Sequence, residues 1–173
     1  MKELNNYIQE KLNISTKYTC KPKDRYELRD IIGQRLQKDK DANLNDIDVS
    51  EVTDMGNLFA NLDPHNIDIS EWNMSNVTIT PGMFYKCKNF NCNLSDWNVS
   101  NVKDMSYMFF YCENFNCDLS NWDVSNVKDM SFMFAYCKNF NCDLNSWNVS
   151  NIKDMGDMFY ECTSLKNKPS WYK

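Results

Sequence analysis

Histidine occurs once in this chain, at His65, and with no base, nucleophile or partner cluster beside it this residue is a poor catalytic candidate. No phosphate-cradling loop and no paired carboxylates stand outside the repeated segments described below, and no catalytic residue is assigned. Basic clusters interleaved with aromatics are absent, and the formal net charge is -5. Phosphate neutralisation by lysine and arginine dominates nucleic-acid affinity, so general nucleic-acid binding is not expected. No stretch approaches the roughly 20 apolar residues of a membrane span, and Met1 to Cys20 lacks the apolar run of a signal peptide. Many thiols without an export signal suggest a reducing, cytoplasmic setting.

What the chain has is copies. Trp72, Trp97, Trp122 and Trp147 are spaced 25 residues apart, and the intervening residues recur in order. A step back from Trp72 reaches Ile47, where IDVSEVTDMGNLF still follows the unit. Such a period marks a stacked-repeat architecture. The expected domains are an N-terminal extension over 1–20, a helical cap and connection over 21–46, and five units over 47–173. The second unit is irregular at Thr78, Ile79, Thr80, Pro81 and Gly82. Lys166, Lys168 and Pro169 in the last unit suit a polar terminal cap.

Ahead of the array, Asp24 and Glu27 form a capping-box pattern, followed by Leu28, Ile31, Ile32 and Leu36 at helical spacing. The pattern predicts a helix over 25–37 that covers the first unit. Leu4, Tyr7, Ile8 and Leu12 suggest a short amphipathic helix nearer the N-terminus.

Aligned at 25 residues, the units form columns. One holds Val52, Val77, Val102, Val127 and Ile152, and another Phe59, Phe84, Phe109, Phe134 and Phe159. Ile69, Leu94, Leu119 and Leu144 form a third. Columns of this kind stack into apolar ladders that no single unit could bury. Within a unit, D-M-S-Y-M-F-F-Y-C predicts a short helical turn capped by Asp104, Asp129 or Asp154, and N-C-D-L-S predicts a short strand. One strand and one helical segment per unit predict an α/β repeat solenoid with leucine-rich-repeat arithmetic.

The motif W-D-V-S-N-V-x-D-M-S-x-M-F followed by x-F-N-x-D-L-S resembles the BspA-like leucine-rich repeats, in the variant of Mycoplasma surface proteins. The likeness covers Lys21 to Trp171, since K-P-K-D-R-Y-E-L resembles that family's lead-in helix. It implies a right-handed solenoid and a binding or adhesion scaffold, often at a cell surface, without catalytic residues. This chain departs from the pattern in two columns, where cysteine replaces small residues or glutamine. A second, shorter resemblance concerns M-K-E-L-N-N-Y-I-Q-E, which is similar to the head-targeting leader of internal proteins of large T-even-type phages. Ile8-Gln9-Glu10 matches the maturation-cleavage triplet, and the plain alternative is an ordinary amphipathic helix.

Cys87, Cys112, Cys137 and Cys162 form one cysteine column, and Cys92, Cys117 and Cys142 another. The first unit has Leu62 and Ile67 at these places, which favours buried free thiols over a disulfide framework or a metal stack. The Asp54, Asp104, Asp129 and Asp154 column reads as turn caps rather than as a calcium ladder. Asn66, Asn91, Asn116 and Asn141 read as a hydrogen-bonded turn ladder. No metal or cofactor is expected.

The functional signal is aromatic. Tyr107 and Phe132 share a column with Asn57, Gly82 and Asp157, and a position that accepts those residues is expected to be exposed. Phe110, Tyr111 and Tyr136 lie beside them. Together these five predict a contact row for a protein or glycan partner, against the plainer reading of rings half-buried along a ridge. The expectation is a monomeric, non-enzymatic binding scaffold, and the alternative a phage-borne internal head protein.

Overall fold

The computed structural model describes residues 18–173. The expected N-terminal amphipathic helix and the Ile8-Gln9-Glu10 triplet lie outside the described residues. Helix α1 spans Arg25–Lys38, with Asp24 accepting from the Tyr26 and Glu27 amides. Glu27 reaches back to the Lys23 N–H at 2.9 Å, so the predicted capping pattern closes one residue earlier than a standard box. Leu28, Ile32 and Leu36 are buried against the first rung. The helix ends in Arg35 and Lys38, cations that suit its negative terminus.

From there the chain runs in 25-residue rungs, here numbered one to five by Ile47, Trp72, Trp97, Trp122 and Trp147. Each lies on the next in parallel register through isolated bridges, Asp54 to Ile79, Ile79 to Asp104, Asp104 to Asp129 and Asp129 to Asp154. The irregular second rung keeps the register, because Ile79 bridges on both sides. Leu44 stacks beneath Ile69 through its N–H to the Asp68 carbonyl at 2.8 Å, ahead of the first anchor.

Two local expectations need correcting. The N-C-D-L-S segment at 116–120 forms no strand; its column bridges at Asn43 with Asp68, and from Asp54 onward the parallel bridges fall on the aspartate column. The D-M-S-Y-M-F-F-Y-C segment is not helical but a run of tight turns. Met108 N–H donates to Met105, Phe110 to Tyr107 and Cys112 to Phe109, each three residues back. The alternate amides leave the rung. Met105, Tyr107, Phe109 and Tyr111 donate to Asp129, Ser131, Met133 and Ala135 of the next one. Amides therefore point toward the C-terminal end of the stack and carbonyls toward α1.

That directionality would leave the first-rung carbonyls without donors. Arg29 of α1 supplies them, donating to the Leu58 and Ala60 oxygens, the latter at 2.9 Å. Arg35 anchors the same helix on Asp46, and its guanidinium holds the Asp46 carboxyl below the usual carboxylate range.

The core is a set of ladders. Phe59, Phe84, Phe109, Phe134 and Phe159 stack with centroid separations of 5.1, 5.5, 5.6 and 5.8 Å. Each tryptophan indole donates to the leucine-column carbonyl 28 residues earlier: Trp72 to Leu44, Trp97 to Ile69, Trp122 to Leu94 and Trp147 to Leu119. Trp171 continues the series to Leu144, one residue out of the 25-residue step.

The cysteines are free thiols. The first column makes a further ladder, Cys87 to the Phe59 carbonyl, Cys112 to Phe84, Cys137 to Phe109 and Cys162 to Phe134. Burial pushes the Cys87 and Cys162 thiols up to about 12 and holds Cys112 and Cys137 well above their ordinary value. The thiols bury as small hydrophobes, and each weak S–H donor also finds an acceptor. The asparagine column is also a ladder, with the Asn116 and Asn141 amides each donating to the preceding asparagine oxygen at 2.9 Å. Among the described residues no helix is long and apolar enough to cross a membrane.

Candidate functional site

The turn segment decides where the aromatic residues go. Apart from Asp63, every left-handed backbone among the described residues falls in two columns. One holds Asn57, Gly82, Tyr107, Phe132 and Asp157, and the other Asn61, Lys86, Tyr111, Tyr136 and Glu161, with φ between 52° and 63°. Asparagine, glycine and aspartate tolerate this region; a bulky aromatic residue there costs about 1–2 kcal/mol. The mixed composition of the Tyr107 column thus reports backbone conformation first. Exposure follows only in part, since Tyr107 is 38% exposed whereas Phe132 is half-buried and Gly82 buried.

All five residues expected to form the contact row come together. Tyr107 stacks on Phe132 with centroids 4.9 Å apart, and Tyr111 lies 4.9 Å from Tyr136. Phe110 joins the two rows, 5.6 Å from Tyr107 and 5.6 Å edge-on to Tyr136. Ala135 holds the Phe110 position in the next rung and is fully buried.

The sequence reading left two members out. Tyr85 stacks under Phe110 at 5.0 Å, and Tyr160 meets Tyr136 edge-on at 5.3 Å. The signal was present in their shared column with Phe110, but Ala60 and Ala135 interrupt it. Partial desolvation and the neighbouring Tyr160 raise the Tyr136 phenol above its ordinary value. In the second rung the Tyr107 column holds Gly82, where an added Cβ would lie 2.6 Å from the side-chain end Asn57 Oδ1, in a backbone with φ of 59°.

Charges frame the rings. In the Tyr111 column Lys86 lies one rung before and Glu161 one rung after the pair Tyr111–Tyr136. Lys86 rests its ammonium 5.2 Å from the Tyr85 ring centre. The adjacent charged column is self-paired, Lys88 and Lys138 both meeting Glu113 at 3.4 and 2.8 Å. The aspartate column is likewise occupied locally: Asp104 accepts from the Ser106 amide and hydroxyl, and Asp129 from Ser131. These are Asx turns, the form that the expected caps take. His65 is half-buried, its Nδ1 4.0 Å from Asp41. Among the described residues no group of three or more potential ligands is disposed to hold a metal.

Residues 32–118 and 83–172 each match the family described as Mycoplasma protein of unknown function, DUF285. Together the two matches span most of the chain. The chain belongs to this family. Its overlapping matches agree with a repeated sequence, and they assign no activity. No curated protein and no solved structure matches the chain.

Proposed function

We propose that this DUF285 member is a non-enzymatic binding scaffold, a right-handed solenoid of the leucine-rich-repeat type whose aromatic ridge engages a protein or glycan. The observation that carries the reading is the cost of the ridge. Tyr107, Tyr111, Phe132 and Tyr136 all occupy left-handed backbone while their rings stay outside the core. Residues that are locally unfavourable and only partly buried point to a use at the surface. Contiguous tyrosine and phenylalanine are also the residues that anchor interfaces. The scaffold acts as a monomer in a reducing compartment, a setting that suits its unpaired cysteine columns.

The test is the double substitution Tyr107→Ser with Phe132→Ser, followed by capture from extracts of the source cell. Circular dichroism should be unchanged and the captured partner lost. Undiminished capture by the folded variant would remove the ridge from consideration.

A further inference from the structure

The ridge also specifies the shape and charge of its occupant, an inference that rests on the ridge being the binding surface. We propose that it takes an extended, proline-bearing peptide laid along the stack, with an acidic side chain over Lys86 and a basic one over Glu161.

Three observations lead there. First, the ridge offers no main-chain edge. The Tyr107, Phe109 and Tyr111 amides are spent on the next rung, and those of Met108, Phe110 and Cys112 on their own turns. Strand addition draws its affinity from main-chain hydrogen bonds, so it has nothing to pair with here. A polyproline II segment needs no such partner, because its backbone makes no internal bonds and docks on aromatic rings. Tyr107 and Tyr111 are exposed, and their hydroxyls can donate to its carbonyls.

Second, the charges at the two ends are opposite, with Lys86 resting on the Tyr85 ring. Lys86 and Glu161 are exposed and form no ion pair among the described residues, whereas Lys88 and Lys138 share the one carboxylate of Glu113. Asp157 adds a second carboxylate at the Glu161 end. A neutral glycan would leave both ends unanswered, while a dipolar peptide answers both.

Third, the length is set. Lys86 to Glu161 is three rung steps, and the ring pairs on successive rungs are 4.9 Å apart. The span is therefore about 15 Å, which a polyproline II chain rising about 3.1 Å per residue covers in about five steps. Acid and base should stand five positions apart, with the intervening prolines on Tyr107, Phe110, Tyr111, Phe132 and Tyr136.

The experiment uses fluorescein-labelled peptides and anisotropy titration against the full chain. The probes are Glu-(Pro)4-Lys, Glu-(Pro)4-Glu, Lys-(Pro)4-Lys and the shortened Glu-Pro-Lys. Glu-(Pro)4-Lys should bind the native chain about tenfold more tightly than the others. Lys86→Glu should transfer the preference to Lys-(Pro)4-Lys, and Glu161→Lys to Glu-(Pro)4-Glu. Both positions are solvent-exposed, and native-like circular dichroism identifies folded variants. Failure of preference to follow either charge in folded protein overturns the proposal. So does binding of a neutral oligosaccharide such as cellohexaose with none of the peptides bound. Both results leave the ridge reading standing, which falls only if Tyr107→Ser with Phe132→Ser leaves native partner capture intact.

Discussion

Arg29 donates to the Ala60 carbonyl at 2.9 Å, in the place where every later rung has a peptide N–H. The counterparts of that oxygen at Tyr85, Phe110, Ala135 and Tyr160 accept from Asn61, Lys86, Tyr111 and Tyr136 of the preceding rung. A side chain of α1 thus substitutes for a rung that is not there. The helix covers apolar surface with Leu28, Ile32 and Leu36 and terminates the hydrogen-bond ladder with Arg29.

Removing that guanidinium leaves two carbonyls short of donors. Arg29→Ala should lower the unfolding free energy by about 2 kcal/mol, within the range for partly buried bonds to charged donors. Arg29→Lys should recover only part, because an ammonium lacks the fork that spans Leu58 and Ala60. Urea midpoints of the three proteins give the comparison; equal midpoints would mean that water serves these oxygens equally well.

Neighbouring columns should respond in opposite ways to loss of an aromatic ring. Phe109 is fully buried between Phe84 and Phe134, and Phe109→Ala should cost about 3–5 kcal/mol. At Tyr107 the lost ring contacts, worth about 0.5–1.5 kcal/mol, are offset by relief of a left-handed backbone worth about 1–2 kcal/mol. Tyr107→Gly should therefore leave stability within about 1 kcal/mol of the native value. Thermal unfolding decides the matter, and a large loss for Tyr107→Gly would place that ring in the core.

These columns also show what a reader of the sequence can and cannot see. The period, the helix α1 and the apolar ladders were legible, since each rests on spacing that local physics enforces. The five ridge residues were legible as a group because repeated columns act as an internal comparison. Left-handed backbone was not, although Asn57, Gly82 and Asp157 spell its preference; the expectation took their polarity for exposure. The misplaced strand has a similar origin. N-C-D-L-S alternates as a strand should, yet no bridge forms at 116–120, where Asp118 makes the same Asx turn, to the Ser120 amide at 2.9 Å, that the bridged aspartates make. The pairing falls on the aspartate column, whose own Asx turns make it read as a cap.

Alkali should unfold this chain steeply. The Cys87, Cys112 and Cys137 thiols are fully buried and their titration is pushed upward by burial, Cys87 to about 12. In the unfolded chain they ionise near pH 9, so above that pH the unfolded state has released protons that the folded state retains. Stability is then fully present below pH 9 and falls toward pH 12. Each such thiol contributes a slope of about 1.4 kcal/mol per pH unit, or about 4 for the three. Cys92 and Cys162, also pushed up to about 12, add to the slope; urea titrations between pH 8 and 11 measure it, and Cys112→Ala should reduce it by about 1.4 kcal/mol per pH unit. An unchanged slope would mean that Cys112 ionises in the folded chain as readily as in the unfolded one.

The strongest consequence of the rung geometry concerns removal of a whole unit. Deleting residues 97–121 joins the second rung to the fourth, and the junction finds partners already matched. Phe134 would stack on Phe84 as Phe109 does at 5.5 Å, Trp122 would donate to Ile69 as Trp97 does at 3.0 Å, and Ile79 would bridge Asp129 in place of Asp104. Contacts between adjacent rungs carry the stability, so the shortened chain should unfold cooperatively with a proportionally smaller denaturant slope. The ridge fares differently. Tyr107, Phe110 and Tyr111 leave with the unit, Phe132 loses its stacking partner, and Lys86 comes one step closer to Glu161. The deletion should therefore fold while losing its partner, which separates the architecture from its use. A chain without a cooperative transition would show instead that the rungs depend on one another beyond their nearest neighbours.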